Sequence, residues 1–142
     1  MLFLGGLTGA GSKADLLNNN IRSIVQALSD ASYVKIFPEF EYHRIQIDDH
    51  LSADMVPHLV GALQFIREAH AEGKNVFVHC AAGISRSTTI ASAYMMARHS
   101  LPFEEVLERI RQVRHCAMPN EGFQRQLRSL NINRLRAEAG FH

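Results

Sequence analysis

The chain has 142 residues, of which 46% are hydrophobic and 20% are charged, and its formal net charge at pH 7 is +1. These values predict one globular domain spanning residues 1–142, large enough to bury a core without disulfide bonds or a structural metal. The near-neutral charge gives no reason to expect nucleic-acid or membrane-surface binding, and no apolar run approaches the roughly 18 residues that a membrane span requires.

Cysteine and histidine usage sets the expected compartment and cofactor content. The two cysteines, Cys80 and Cys116, are too few for a disulfide framework and indicate a reducing compartment. We therefore expect a cytoplasmic location, with a nuclear one as the alternative. The eight histidines are scattered and form no ligand pattern with the cysteines, so neither a metal ion nor another cofactor is expected.

The first half of the chain predicts short strands and one long helix. An edge strand is expected at residues 2–4, a short helix at 14–20, and further strands at 21–27 and 42–47. Four glycines within residues 5–11 predict a turn, because neither a Gly-Lys-Ser/Thr ending nor the dinucleotide-binding pattern follows them. A helix over residues 54–71 comes next, with Val56 on its apolar face and Gly73 as its C-cap.

The second half continues the same alternation. A fourth strand begins at Val76, and the helix after it is expected to end near His99, with Ser87–Thr88 as candidate caps at its start. Two more helices are expected, one beginning at Pro102 and one running from residue 121 to about residue 140. This order favours an α/β fold with a central, mostly parallel sheet of four to five strands flanked by helices.

The central loop, residues 80–86, joins the fourth strand to the helix that follows. Four of its residues are small, namely Ala81, Ala82, Gly83 and Ser85. Their backbone N–H groups can turn inward and form an anion cradle with the helix N-terminus. Cys80 opens this cradle and Arg86 closes it. A thiolate and a guanidinium facing one hollow predict chemistry on a phosphate-like dianion.

Hydrolysis of a phosphate monoester without a metal ion needs a strong nucleophile, a positive clamp and an acid for the departing oxygen. Cys80 can supply the nucleophile as a thiolate, which the inward N–H groups and Arg86 would stabilise. The Arg86 fork matches two phosphoryl oxygens, and the Ser87 hydroxyl is close enough in sequence to donate to the sulfur. His79 is predicted to be a structural neighbour bonded to backbone, because a thiolate needs no general base.

The segment His79-Cys80-Ala81-Ala82-Gly83-Ile84-Ser85-Arg86-Ser87 resembles the H-C-x-x-G-x-x-R-S/T signature of cysteine-dependent protein tyrosine phosphatases. Its Ser-Arg-Ser ending resembles the dual-specificity branch of that superfamily. The resemblance covers nearly the whole chain, through Leu2–Gly5, Tyr42–Ile45 and Pro119–Phe123, which is similar to the P-N-x-G-F segment of the family. Because no kinase-docking domain precedes the catalytic unit, the chain is similar to the small atypical members.

The resemblance implies a dual-specificity phosphatase-like fold and a protein phosphatase that hydrolyses phosphotyrosine and phosphoserine/threonine through a phosphocysteine intermediate. It implies Cys80 and Arg86 as catalytic residues, with help from Ser87. The implied substrate-binding residues are Ala81, Ala82, Gly83, Ile84, Ser85 and Arg86. The expected partners are phosphorylated proteins and phosphate-like oxyanions, with no nucleic acid and no membrane.

The general acid is expected on another element. The family places an Asp a few residues beyond its Y-x-x-I strand, where this chain has Asp48 and Asp49. Counting from Ile45, Asp49 fits the family position better, and the other carboxylate is expected to be an ordinary turn residue. Asn120 is expected to hydrogen-bond the backbone of the central loop, as its family counterpart does, to cap the last helix, or to do both.

Three alternatives remain open. A phosphoinositide or RNA 5′-phosphatase on the same fold would usually carry extra basic residues in the loop, where this chain has the neutral Ala81, Ala82 and Ile84. A sulfurtransferase would have no obvious use for the Arg86-Ser87 ending or for the two aspartates. A non-catalytic phosphopeptide-binding module could dispense with Cys80, which this chain retains.

Overall fold

A computed structural model describes every residue from Met1 to His142, and its centre is one sheet of four parallel strands. The strands are β1 (Leu2–Gly5), β2 (Ile21–Leu28), β3 (Glu41–Gln46) and β4 (Asn75–His79), in the order β1-β4-β2-β3. The predicted α/β fold is therefore confirmed, with four strands and with β1 at an edge. Because all strands run the same way, their carboxyl ends meet at one edge of the sheet.

Helices cover both faces of this sheet, as a parallel sheet requires. They are α1 (Leu7–Ala10), α2 (Lys13–Asn18), α3 (Val56–Ala71), α4 (Arg86–His99), α5 (Phe103–Val113), α6 (Glu121–Arg128) and α7 (Ile132–Ala139). Side chains alternate across β4, so Val76 and Val78 join the main core beneath α3 to α7, while Phe77 joins a smaller core beside α1 and α2. No helix has the length and apolar character to cross a membrane, and no cluster of metal-ligating side chains is present.

Two predictions of secondary structure, one near each end of the chain, were wrong. The glycine-rich stretch predicted as a turn contains α1, and Gly9 lies so close to the Phe77 ring that a Cβ there would be 2.9 Å from Cζ. The single helix predicted after residue 121 is two helices, because the chain turns after Arg128 and the Asn131 side chain accepts from the Arg134 N–H to begin α7.

Two other predictions concerned helix starts. Ser85, not Ser87–Thr88, is the N-cap of α4, and the two predicted caps are fully buried in its first turn. The long helix begins at Val56 rather than residue 54, and Val56 is 42% exposed because it lies in the first turn instead of on the buried face. Gly73 follows the C-cap of α3 with a φ of +76°, as predicted for a helix end.

Three histidines lie in partly or fully buried positions that favour the neutral ring. Burial lowers the pKa of His43, which packs on Phe65 at 5.4 Å between ring centroids, and the nearby charge of His58 lowers this pKa further. Burial also lowers the pKa of His70 and of His79. Protonating any of these rings in the folded chain therefore costs free energy that the unfolded chain does not incur.

We predict that the free energy of unfolding falls on acidification from pH 7.5 to pH 5.5. A histidine whose pKa is lowered by folding binds fewer protons folded than unfolded, so its contribution is complete above about pH 6.5 and is lost below it. Urea unfolding at the two pH values measures the difference. His43→Phe keeps a ring against Phe65 and should reduce the difference, whereas the exposed His99→Gln should not. An equal pH dependence in His43→Phe and the unmodified chain would contradict this account.

Candidate active site

Cys80 lies directly after β4 and is almost completely buried, with 2% of its surface exposed. Its Sγ is 3.1 Å from the Oγ of Ser87, which is fully buried in the first turn of α4. The predicted contact between the Cys80 thiol and the Ser87 hydroxyl is therefore present. A hydroxyl at this distance can donate to a thiolate and stabilise its charge.

The carbonyl groups of the central loop from Cys80 to Ser85 are all hydrogen-bonded. The six acceptors, with their donors, are Cys80 (His79 Nδ1, 3.1 Å), Ala81 (Leu7 N–H, 2.9 Å), Ala82 (Arg114 Nη2, 3.2 Å), Gly83 (Arg114 Nε, 2.8 Å), Ile84 (Met118 N–H, 2.8 Å) and Ser85 (Thr89 N–H, 2.9 Å). The peptide bonds are all trans, so the N–H of each peptide group points away from its carbonyl. The N–H groups of residues 81–86 consequently point to the opposite side.

These inward N–H groups make no hydrogen bond within the protein. They stand at the N-terminus of α4, whose dipole also favours a negative charge. A ring of unpartnered N–H groups is the arrangement that binds a tetrahedral oxyanion through backbone alone. The small residues predicted an anion cradle, and the cradle forms because six carbonyls point outward and leave the N–H groups inside.

Gly83 is needed at the tightest point of the loop. Its φ is +71°, in the left-handed region, and a Cβ there would be 2.4 Å from Arg114 Nη2 and 2.7 Å from the carbonyl carbon of Gly5. Gly6 approaches equally closely, since its Cβ would be 2.7 Å from the Ala81 carbonyl oxygen. Gly83 in the loop and Gly6, one of the glycines that predicted a simple turn, therefore let the β1–α1 connection pack against the central loop.

Arg86 is held from the side by two other strand ends. Its Nη1 donates to the Ile47 carbonyl at 3.2 Å, just after β3, and to Ser29 Oγ at 3.3 Å, just after β2. Its Nε is buried and has no partner within the protein. An unmade buried hydrogen bond costs on the order of 1–3 kcal/mol, so this donor is suited to an oxyanion that binds in the cradle.

His79 is fully buried and acts as a fixed brace. A carbonyl can only accept, so the Nδ1 that contacts the Cys80 carbonyl carries the proton. Burial lowers the pKa of His79, and in the neutral ring Nε2 accepts from Gln26 Nε2 at 3.3 Å. Gln26 pairs with His79 across the β2–β4 ladder. The sequence analysis missed Gln26, although a single amide within an apolar strand was a usable signal.

Asn120 joins three parts of the site. Its Nδ2 donates to Asp49 Oδ1 at 2.9 Å, its backbone N–H donates to Ser85 Oγ at 2.8 Å, and its Oδ1 accepts from the Phe123 N–H as the N-cap of α6. The predicted helix cap is thus present. Asn120 was also expected to bond the backbone of the central loop, but it bonds the side-chain hydroxyl of Ser85 instead. Of the two aspartates, Asp49 is tied to the central loop through Asn120, while Asp48 makes no side-chain hydrogen bond.

Arg114 is the main residue that the sequence analysis did not find. It follows α5 and donates to the carbonyls of both Ala82 and Gly83, 32 and 31 residues earlier in the chain. Nothing in the local sequence distinguishes it from the exposed Arg111, which lies in the last turn of α5. Its role depends on how α5 packs, which a single sequence does not reveal.

The comparisons with known proteins agree with this geometry. The family model of the dual specificity phosphatase catalytic domain matches residues 2–133. This chain belongs to the dual-specificity phosphatase family. The crystal structure of DUSP15 superposes with a TM-score of 0.91 and 32% identity, covering 98% of this chain and 90% of that one.

Two curated relatives differ in how much of their own length the match with this chain covers. Dual specificity protein phosphatase 22-B of Danio rerio is 34% identical over 134 residues, which are 94% of this chain and 72% of that protein. Protein phosphatase Slingshot homolog 3 of Homo sapiens is 35% identical over 127 residues, which are 89% of this chain but 19% of that protein. The chain therefore matches most of the first relative and only a fifth of the second.

We predict that Arg114→Ala weakens the cradle without unfolding the chain. Losing the donors to two loop carbonyls frees their peptide groups to rotate, and misplacement by about 1 Å can cost up to about 10²-fold in rate. Vanadate affinity and kcat/KM for p-nitrophenyl phosphate should both fall. The exposed Arg111→Ala, on the same helix, is the matched control and should behave as the unmodified chain. Unchanged vanadate affinity in Arg114→Ala would contradict the role given to this residue.

Proposed function

We propose that the chain is a protein phosphatase that hydrolyses phosphotyrosine and phosphoserine/threonine through a phosphocysteine intermediate. The observation that carries the proposal is the set of six unpartnered N–H groups beside the sulfur of Cys80. A phosphoryl group bound by these N–H groups would lie in reach of a nucleophile. Membership of the dual-specificity phosphatase family supports the same reaction.

In the first step the Cys80 thiolate attacks phosphorus. The S–P bond forms, the bond from phosphorus to the ester oxygen breaks, and Asp49 gives its proton to that oxygen as the alcohol or phenol leaves. The inward N–H groups and the free Arg86 Nε bind the equatorial oxygens, where charge is held in the transition state.

In the second step a water molecule attacks the phosphocysteine. The Asp49 carboxylate accepts a proton from the water, the P–S bond breaks, and the sulfur leaves as a thiolate that the Ser87 hydroxyl stabilises. The products are inorganic phosphate, the free thiolate and a protonated Asp49, so the enzyme returns to its starting state. No metal ion is needed for this sequence, because the thiolate is the nucleophile and the backbone is the anion clamp.

The neutral rim of the cradle supports the proposed substrate class. Ala81, Ala82 and Ile84 add no positive charge to that of Arg86, which suits a substrate with a single phosphoryl group. A phosphoinositide or a 5′-phosphorylated RNA carries further phosphates that this loop would leave unpaired. The bonded pair of Asp49 and Asn120 beside the loop also supports hydrolysis over sulfur transfer or simple phosphopeptide binding.

The proposed chemistry requires a reduced thiol. Cys80 and Cys116 are both free cysteines, which supports our proposal that the protein works in a reducing compartment, the cytoplasm or the nucleus.

We predict that Cys80→Ser lowers the turnover of p-nitrophenyl phosphate by roughly 10⁴-fold or more, because a hydroxyl at this position is not a thiolate nucleophile. Vanadate or phosphate binding should persist, since the cradle is backbone. Cys116→Ser, at the exposed second cysteine, is the matched control and should retain full activity. Near-normal turnover by Cys80→Ser would refute the proposed function.

We predict that Asp49→Ala lowers kcat by about 10²–10⁴-fold with a phosphotyrosine peptide, the usual effect of removing a general acid. Asp48→Ala should change kcat by much less, because only Asp49 is bound to Asn120. Steady-state kinetics of both variants on the same peptide give the comparison. A larger loss in Asp48→Ala would reverse the assignment of the acid.

A further inference from the structure

The loop after β3 is attached along its length to α6. We call residues 48–55 the acid loop, because it carries Asp49. Its four contacts with α6 and the N-cap of that helix are Asn120 Nδ2 to Asp49 Oδ1 (2.9 Å), Gly122 against the Leu51 backbone, Gln126 Nε2 to the Ala53 carbonyl (2.8 Å) and the Met55 N–H to Gln126 Oε1 (2.8 Å). Alternate residues of the acid loop, from 49 to 55, thus all contact one helix.

The Gln126 side chain binds the acid loop through both ends of its amide. The NH₂ group donates to the Ala53 carbonyl and the oxygen accepts from the Met55 N–H. The amide thus makes the same pair of hydrogen bonds to the loop backbone that a residue of a neighbouring strand would make. Gln126 is partly buried, and Met55 is fully buried in the main core. The amide therefore fixes the end of the acid loop at the point where Met55 enters the main core.

Gly122 allows the backbones of α6 and the acid loop to touch. A Cβ on Gly122 would lie 2.2 Å from the Leu51 carbonyl oxygen and 3.1 Å from the Leu51 Cα. Glycine is unfavourable inside a helix, and this close approach explains why α6 carries one at its second position. Any larger residue would push the acid loop away from the helix.

The acid loop is also ordered by its own hydrogen bonds. The His50 Nδ1 contacts both the Oγ and the N–H of Ser52, at 2.8 and 3.1 Å, and the Ala53 N–H donates to the His50 carbonyl at 3.0 Å. The loop is therefore a compact turn that α6 holds as a unit, rather than an extended segment touching the helix at single points.

We propose that α6 keeps the acid loop docked before substrate binds, and that Gln126 is a positioning residue that holds Asp49 beside the central loop. The proposal rests on the proposed function, since it takes Asp49 as the general acid. Asn120 alone could hold the Asp49 carboxylate, but the backbone that carries Asp49 is placed by Gly122 and Gln126. Proton transfer then requires no closing motion of this loop.

A misplaced acid has a distinct kinetic signature. A proton from the acid matters most when the leaving oxygen holds negative charge poorly. Phenolate is a poorer leaving group than p-nitrophenolate, so displacing Asp49 lowers turnover of phenyl phosphate more than that of p-nitrophenyl phosphate. General damage to the fold or to the central loop would lower both rates by the same factor.

The test is the ratio of kcat/KM values for these two substrates in the full chain, because kcat/KM reports the first step, in which the leaving group departs, and not the hydrolysis of the phosphocysteine that both substrates share. In Gln126→Ala, kcat/KM for phenyl phosphate should fall about 10- to 100-fold, while kcat/KM for p-nitrophenyl phosphate falls only about 3-fold. Gln126→Glu keeps the acceptor for the Met55 N–H but places a carboxylate oxygen against the Ala53 carbonyl, so its ratio should change in the same direction. Gly122→Ala should change the ratio in the same direction.

Gln64→Ala is the matched control, because Gln64 also donates from its amide to a backbone carbonyl, that of Glu138 at 3.0 Å, away from the acid loop. Its ratio should equal that of the unmodified chain. Equal losses on both substrates in Gln126→Ala, or no loss, would overturn the proposal; if that variant does not fold, Gln126→Glu and Gly122→Ala decide it by the same ratio. Turnover by Cys80→Ser in this assay would instead refute the proposed function itself.

Discussion

The candidate active site depends on one constraint, which is that each carbonyl of the central loop from Cys80 to Ser85 is hydrogen-bonded on its outer side. Six outward carbonyls leave six N–H groups facing inward. The backbone then provides the anion site, so the side chains of Ala81, Ala82 and Ile84 are free to be neutral. In the proposed mechanism, Cys80 and Arg86, at the two ends of the loop, need only add a nucleophile and a bidentate clamp.

The donors that impose this constraint come from separate parts of the fold. Leu7 belongs to α1, Thr89 to α4, Arg114 follows α5 and Met118 precedes α6. These elements pack on one parallel sheet whose carboxyl ends meet at the site. The geometry of the cradle is therefore a consequence of the whole core, and a change in the packing of any of these elements alters the direction of a particular peptide group.

The sequence predicted the parts of the site that are close together in the chain. Cys80 and Arg86 share one loop between a strand and a helix, so residue type and spacing were sufficient to propose them as site residues. Arg114 and Gln126 were not found, because each acts on backbone groups at least 31 residues away through packing that a single sequence does not encode visibly. The alternation of strands and helices was clear, whereas the break before Asn131 was missed because the apolar pattern continues across it.

The central claim is that phosphoryl transfer goes to sulfur within this cradle. Mass spectrometry of the protein quenched in acid during turnover of a phosphotyrosine peptide tests it directly. The account predicts a phosphate on the peptide that contains Cys80, and none at that site in Cys80→Ser. A turning-over enzyme with phosphate on another side chain, or with no phosphorylated protein at any time point, would contradict it.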